Sequence, residues 1–411
     1  MQKLSTGKFI GCTMILVGTV VGAGMLALPM VSVKAGFFWS TILMFIFWIS
    51  STLAGLLVIE TNLAFPNHSC SFSTMAEKTL GNSGKIVTWI SKLFLLYAII
   101  TAYIIGETDL LINTFSSSFQ IDISAWIISA VFTFGLGIAV FFSTKAVDYL
   151  NRSFLSVKGF LLLATLILLT PHVDIVKLIS SQDMLQTQAK YMLLPIPIFL
   201  CAFGYHFVIP SLRMYIGERP RELRNIVIAG GTIALIIYLW WLAVVLGTVE
   251  VASLAKIPSS SIGKFTQLMI STIQSKWVAH SINSFTNIAM TTSFLGVSLS
   301  LFDFLADGFK RSNSRFGRLQ TAILTFVPPL LFALLYPQGF VIALNYASIA
   351  MAIITFILPP LMTYKLRKNK NLKSSYRTKC GNTTIFSIVF IGFVSITLAL
   401  MYNFGFLACL Q

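Results

Sequence analysis

The sequence predicts an all-α integral membrane protein with eleven transmembrane helices, arranged as a five-plus-five inverted repeat whose first and sixth helices are broken. Composition is the first reason, because 56% of the 411 residues are hydrophobic and only 10% are charged, whereas a soluble surface is about a quarter to a third charged. The apolar residues also form runs of about 17–25, the length that spans a bilayer as a helix. Finally, two of these runs are interrupted by glycine and proline in corresponding places.

The apolar runs are interpreted as helices because in lipid only a helix or a closed barrel satisfies its own backbone, and a barrel would alternate apolar and polar residues. The first run is too long for the apolar region of a signal peptide, so we expect it to remain as a span. Residues 8–171 form the first predicted repeat, 192–363 the inverted second repeat, and 384–408 an additional helix. The spans are predicted at residues 8–30, 37–60, 86–112, 123–142, 154–171, 192–213, 224–249, 280–304, 318–336, 339–363 and 384–408.

The net charge of +16 reflects membrane orientation rather than binding to nucleic acid. Roughly 22 of the Lys and Arg residues fall in loops on one side of the predicted membrane, which the positive-inside rule assigns to the cytoplasm. The N-terminus is then cytoplasmic and, after eleven crossings, the C-terminus lies outside. The five cysteines and four histidines lack the spacing of a metal site or a disulfide framework, so no metal and no cofactor are expected.

The two interruptions are GTVVGAGMLALP (18–29) in the first span and PIPIFLCAFGYHFVIP (195–210) in the sixth. They lie five spans apart, so the two helices cross in opposite directions, as an inverted repeat requires. A helix broken at membrane depth offers N–H groups to an anion and carbonyl groups to a cation, and a zwitterionic amino acid carries both charges. Glycine and proline are also common in membrane helices, and Gly18 with Gly22 could be a packing contact alone.

The residues around these interruptions resemble a known family. GTVVGAGMLALPMVSVKAGFFWS (18–40) and FGYHFVIPSLRMY (203–215) are similar to the first-helix and sixth-helix segments of the hydroxy and aromatic amino acid permeases. The resemblance is closest to tyrosine-type members, although tryptophan-type members share much of the pattern. It implies a LeuT-like fold of the amino acid–polyamine–organocation superfamily in the bacterial cytoplasmic membrane. It also implies proton-coupled uptake of an aromatic L-amino acid, with membrane lipids and no obligate protein as partners.

The same resemblance assigns the substrate site to two unwound segments. The amides of the first segment would hold the substrate carboxylate, and the carbonyls of the second would hold its ammonium group. The segments comprise Val21, Gly22, Ala23, Gly24 and Met25 in the first helix, and Ala202, Phe203, Gly204, Tyr205 and His206 in the sixth. Phe207 replaces the small residue expected after the histidine, so the choice between tyrosine and tryptophan stays open.

Three ionisable residues are candidates for proton coupling, because an ionisable group inside a span costs about 2.5–3.5 kcal/mol and needs an explanation. Lys158 in the fifth span would lie beside the unwound first helix by the resemblance, or it could extend its ammonium to the interface. His206 could exchange a proton, or act as a neutral ring that shapes the pocket. Glu107, like Glu60 and Asp109, is expected to be interfacial and could belong to an outer gate.

Alternative functions are weighed against the same residues. Motifs of P-loop, zinc-protease and hydrolase enzymes are absent from the sequence, so an enzyme is not expected. A non-transporting membrane sensor would usually carry a soluble output domain, and the longest loop here has about 30 residues. Sodium coupling, exchange and broader amino acid specificity remain open. The polar run from Asn287 to Ser293 and the pair Asn345 and Tyr346 could line the route or bond neighbouring helices.

Overall fold

Helices make up the regular structure of the computed structural model, which describes residues 4–65, 71–142, 144–179, 182–257, 261–311 and 314–406. The helices of the first half are α1 (Thr6–Val20), α2 (Ala27–Ser32), α3 (Gly36–Asn62), α4 (Phe72–Leu80), α5 (Asn82–Phe119), α6 (Ala125–Phe142), α7 (Thr144–Leu169), α8 (Ile175–Leu178) and α9 (Gln182–Ala189). Those of the second half are α10 (Ile196–Ala202), α11 (Ile209–Ile216), α12 (Pro220–Thr248), α13 (Val251–Ala255), α14 (Ile262–Ile273), α15 (Lys276–Gly308), α16 (Arg315–Leu335), α17 (Phe340–Ala352), α18 (Leu358–Lys368) and α19 (Asn382–Asn403).

The long apolar helices agree closely with the predicted spans. Within the described residues, nine are long and apolar enough to cross a membrane, namely α3, α5, α6, α10 with α11, α12, α15, α16, α17 with α18, and α19. The pair α1 and α2 makes a tenth span, bent by 57°. The predicted fifth span lies on α7, where the apolar stretch Ser156–His172 is shorter than the others. The count of eleven transmembrane spans therefore stays a prediction, because it requires this shorter stretch to cross the membrane.

The first span is broken where its glycines lie, as predicted. α1 ends at Val20, a 3-10 turn covers Ala23–Leu26, and α2 begins at Ala27. Between them Gly22 has φ −152° and ψ −155°, an extended conformation that cannot continue an α-helix. The glycine-rich sequence thus interrupts the helix locally, and the chain changes direction there.

The sixth span is broken at the matching place. α10 ends at Ala202, and a 3-10 turn over His206–Val208 leads into α11. Pro197 and Pro210 both lie in the first turn of the half-helix that follows them, where the missing N–H has no partner within the helix in any case. The two prolines therefore begin half-helices rather than distort a continuous one.

A third interruption was not predicted. The tenth span contains a π-helical turn over Ile353–Ile357 between α17 and α18, followed by Pro359. Phe356 in this turn stacks on Phe47 of α3 with ring centroids 6.1 Å apart. A π turn shifts the helix register by one residue, and because this one contains no glycine, the sequence predicts a continuous span here.

The broken sixth span lies at the centre of the molecule. Of its most apolar stretch 78% is buried inside the protein, against 28% for the peripheral α6. α10 packs against α3, α17, α2 and the 3-10 turn of the first span, whereas α6 turns side chains such as Val131, Ile138 and Phe142 outward. The helices that lie around α10 therefore form the walls of any central site.

Glu60 is not interfacial as expected, because the chain after α18 folds back over the end of α3. The carboxylate is 2% exposed and accepts hydrogen bonds from Arg367 Nε at 2.7 Å and Nη2 at 2.8 Å. The backbone N–H of Thr378 donates a third at 2.8 Å. This contact joins residues about 300 positions apart, so local sequence patterns give no indication of it.

Arg213 fixes α11 to the same end of α3. Its side chain is 1% exposed and donates to the backbone carbonyl of Asn62, to the Asn62 side-chain oxygen at 3.2 Å and to the carbonyl of Phe65 at 2.9 Å. Carbonyls at a helix C-terminus lack donors within the helix, and the guanidinium of Arg213 provides these donors. Glu218 pairs with the same guanidinium at 2.7 Å.

Candidate functional site

The two breaks meet at one hydroxyl group. Tyr238 of α12 is fully buried, and its hydroxyl oxygen lies 2.7 Å from the carbonyl oxygen of Val20 and 2.8 Å from that of Ala202. These are the last residues of α1 and α10, whose terminal carbonyls have no partners within their own helices. Tyr238 donates its single proton between both carbonyls, so the two broken helices are held side by side.

Lys158 and Ser293 border the first break. A side-chain carbon built on Gly22 would lie 2.9 Å from Ser293 Oγ and 3.8 Å from Lys158 Nζ. A larger residue at position 22 would therefore require the Ser293 side chain or α15 to move. The Ser293 hydroxyl also interacts with the buried Tyr103 of α5. The position of Lys158 next to the unwound first helix is the one that the resemblance implied, and the side chain is only 6% exposed.

α3 fixes the second break through one residue. Ser51 Oγ donates to the carbonyl of Phe203 at 2.8 Å, and the Ser51 carbonyl lies 3.0 Å from His206 Nε2. Because a carbonyl can only accept, Nε2 carries the proton in this hydrogen bond. His206 is fully buried and stacks on Tyr205 with centroids 4.9 Å apart. The described contacts of His206 thus position the break.

The free backbone groups are fewer than the sequence analysis assumed. Of the five predicted carbonyls, those of Ala202 and Phe203 already accept from Tyr238 and Ser51. The hydrogen bonds described for the segment do not use the carbonyl of Gly204. On the other side, the N–H groups of Ala23 and Gly24 begin a helical segment and have no acceptor within it.

Space at the breaks is unequal. A side-chain carbon on Gly24 would meet no atom within 4 Å, so the first break opens onto free volume there. At Gly204 such a carbon would overlap the terminal methyl carbon of Met351 on α17. Met351 is flexible and polarizable, so it forms a wall that can yield. The side chains of Val21, Met25 and Tyr205 are buried around these glycines.

Glu107 lies apart from this cluster. It is 3% exposed, so the expectation of an interfacial position was wrong, because α5 is covered at this level by other helices. One of its carboxylate oxygens, Oε2, makes no hydrogen bond to any described residue. The described ion pairs link it neither to Lys158 nor to either break. Its neighbour Asp109 accepts from the N–H of Gly263 at 2.6 Å and so caps α14.

Sequence reasoning missed Tyr238, Ser51 and Tyr103. Each carries a hydroxyl within an apolar span, and only their contacts with segments far along the chain distinguish them. Ser293 was included only as the end of a polar run. Within the described residues, no group of three His, Cys, Asp or Glu side chains is placed to hold a metal ion.

The arrangement can bind a small molecule that carries both charges. Unpaired N–H groups of the first break suit a carboxylate, and the free carbonyl of the second suits an ammonium group. Lys158 adds one ionisable group next to the first break, and Gly24 leaves volume for the ligand. The hydrogen bonds of Tyr238, Ser51 and His206 fix the two segments.

Three comparisons place these features among known proteins. A family model described as the tryptophan/tyrosine permease family matches residues 5–399. The chain is 33% identical to the tryptophan-specific transport protein of Haemophilus influenzae over 99% of both chains. It is 30% identical to the tyrosine-specific transport system 1 of the same organism, over 97% of this chain and 98% of the relative.

The fold is also similar to a solved structure. The crystal structure of MhsT in complex with L-phenylalanine superposes with a TM-score of 0.64 and covers 98% of this chain and 99% of that one. The identity is 14%, so the likeness concerns the fold alone. It supports the LeuT-like fold that the resemblance to the permeases implied.

Proposed function

The chain belongs to the tryptophan/tyrosine permease family, and from this premise we propose that it imports an aromatic L-amino acid by proton symport. It is a multi-pass membrane protein whose relatives are transport proteins rather than enzymes. The observation that carries the proposal is the hydroxyl of Tyr238, which joins the carbonyl ends of both broken helices. Alternating access then takes place around these two breaks.

The substrate's charged groups bind to the backbone in this proposal. The carboxylate accepts from the N–H groups of Gly22, Ala23 and Gly24, and the ammonium group donates to the carbonyl of Gly204. The aromatic side chain occupies the volume next to Gly24, where no atom would meet a side-chain carbon. Every other residue of the two segments, including Val21, Met25 and Tyr205, shapes the pocket through packing.

The coupling ion is a proton, and Lys158 carries it. The ammonium group of Lys158 is buried and forms no ion pair with a described residue. No described carboxylate therefore opposes the release of its proton. One proton moving down 100 mV releases about 2.3 kcal/mol, which supports roughly 40- to 50-fold accumulation of a zwitterion. Sodium coupling is the competing mechanism.

Tyrosine and tryptophan are the two candidate substrates, and the resemblance of residues 18–40 and 203–215 favours tyrosine. The tryptophan-specific relative is 33% identical and the tyrosine-specific one 30%, a margin that favours tryptophan slightly. The proposed location is the cytoplasmic membrane with the N-terminus inside and the C-terminus outside, from the distribution of basic residues.

Transport by purified protein in liposomes tests the proposal. We expect counterflow of labelled tyrosine or tryptophan, and net uptake that follows an imposed pH gradient without sodium. Competition between unlabelled tyrosine, tryptophan and phenylalanine ranks the substrates. Binding without exchange across the bilayer would instead indicate a sensor, and uptake that requires sodium at constant pH would exclude proton coupling.

A further inference from the structure

Three buried polar atoms converge on a glycine behind the second break. A side-chain carbon built on Gly231 of α12 would lie 3.3 Å from Thr52 Oγ1, 3.5 Å from Tyr205 Oη and 3.6 Å from Trp48 Nε1. None of these three atoms makes a hydrogen bond to any described residue. α3 contributes Trp48 and Thr52, and the broken sixth span contributes Tyr205, so three separate elements surround one point.

The cost of leaving these atoms unpaired is large. A buried polar atom without a partner loses its hydrogen bonds to water with nothing in return, and three such atoms around one point would be an exceptional accumulation. The hydroxyls of Tyr205 and Thr52 are neighbours, but their geometry is not that of a hydrogen bond. We propose that Trp48, Thr52 and Tyr205 form a binding site for one buried water molecule, in the space that Gly231 provides.

The donor set selects the ligand. Trp48 Nε1 can only donate a hydrogen bond. A sodium ion at this point would face the hydrogen of that N–H group, which cannot coordinate a cation. A water oxygen accepts from Trp48 and from one hydroxyl and donates to the other, and three hydrogen bonds are typical of buried waters.

An anion such as chloride would also accept from all three groups, but it would need a balancing positive charge. A side-chain carbon built on Gly55 would lie 3.2 Å from the Tyr205 ring and 3.2 and 3.5 Å from the apolar side chains of Val227 and Ile209. His206 stacks on that ring, and its Nε2 is directed to the Ser51 carbonyl. The neutral water is therefore the ligand that the described surroundings favour.

This water would fix the second break at Tyr205, in addition to the contact of Tyr238 with the carbonyl of Ala202. Ser51 already fixes Phe203 and His206, and the water adds Tyr205 to the same attachment. α3, α12 and the break would then move as one unit. The inference concerns this packing and does not depend on which amino acid is transported.

Thermal unfolding of the purified protein tests the site by the sign of each change. Gly231→Ala puts a methyl group where the water would bind, so we expect the unfolding midpoint to fall by about 2–4 °C. Helix propensity alone predicts the opposite, because alanine is favoured over glycine inside a helix. Gly231→Ser is the matched variant, and its hydroxyl should restore most of the loss by replacing the water.

Two substitutions of Thr52 give a second, independent test of the site. If its hydroxyl binds the water, Thr52→Val lowers the midpoint and Thr52→Ser does not. If the hydroxyl is truly unpaired, valine removes a buried polar group and raises the midpoint. Adding Thr52→Val to Gly231→Ala should cost nothing further, because the water is already gone.

Repeating the measurements with gluconate in place of chloride distinguishes an anion from water. Equal midpoints are expected, and a chloride dependence that Thr52→Val abolishes would overturn the assignment to water. A high-resolution structure should show one peak within hydrogen-bonding distance of all three groups. A direct Thr52–Tyr205 hydrogen bond without such a peak, or a rise of the midpoint in Gly231→Ala, would refute the site.

Discussion

The hydroxyl oxygen of Tyr238 lies 2.8 Å from the carbonyl oxygen of Ala202, at the point where the sixth span is interrupted. The same hydroxyl reaches the carbonyl of Val20 at the first break. A tyrosine on a continuous helix thus sets the distance between two discontinuous ones. The relative position of the peptide groups proposed to bind the substrate depends on this contact.

Tyr238→Phe should weaken binding of the aromatic amino acid about tenfold, because losing a buried hydrogen bond to two carbonyls costs on the order of 1–3 kcal/mol. The ring packing against Phe203 is kept, so the variant should still fold. Equilibrium binding measures the effect. The control is Tyr336→Phe, which removes an exposed hydroxyl at the end of α16. Binding within twofold of the parent protein would show that Tyr238 does not set the site.

Gly22→Ala should reduce transport, since the new carbon would lie 2.9 Å from Ser293 Oγ. The serine side chain or α15 must then move, and the first break moves with it. Ser293→Ala in the same chain removes the opposing atom and should restore part of the activity. The control is Gly11→Ala on α1, where a side-chain carbon meets nothing within 4 Å. Uptake in liposomes measures all three, and normal uptake by Gly22→Ala alone would contradict the close approach.

The breaks could be predicted from sequence because their cause is local. Glycine and proline within an apolar run act on their own backbone, so Gly22 and Pro210 mark the interruptions directly. The resemblance to known permeases correctly located Lys158 beside the first break. These features need no knowledge of which helices touch.

The contacts that fix the breaks could not be predicted in the same way. Tyr238 and Val20 are 218 residues apart, and a hydroxyl in an apolar span has many potential partners. Glu60 was expected at the interface because it ends its span, whereas its burial depends on a loop that returns from the end of α18. Such positions follow from tertiary packing, which a single sequence does not specify.

Glu60→Gln should destabilise the protein by about 3–5 kcal/mol, because it leaves the charge of Arg367 uncompensated in a buried pair. The pair Lys85 and Glu77 serves as the control, since its side chains are 50% and 43% exposed and Glu77→Gln should cost about 0–1 kcal/mol. Unfolding of both variants in the same detergent gives the comparison. Equal losses would mean that the loop after α18 contributes little to stability.

Lys158→Ala should reduce accumulation driven by a pH gradient much more than it reduces equilibrium binding. Replacing the ammonium group removes the proposed proton carrier while leaving the backbone groups of Gly22 and Gly204 in place. Counterflow at equal pH on both sides needs no driving force, so it should persist within a few-fold of the parent rate. Accumulation and counterflow in the same liposomes separate the two effects.

The control for this prediction is another lysine inside a span. Lys92 of α5 has its ammonium group 4.8 Å from the ring centroid of Phe304, a contact that gives it a structural explanation without transport. Lys92→Ala should therefore keep the response to a pH gradient even if it lowers stability. Equal losses of binding and accumulation in Lys158→Ala would instead assign Lys158 a structural role. A response to pH that survives Lys158→Ala would require another proton carrier, and Glu107 would then be the next residue to replace.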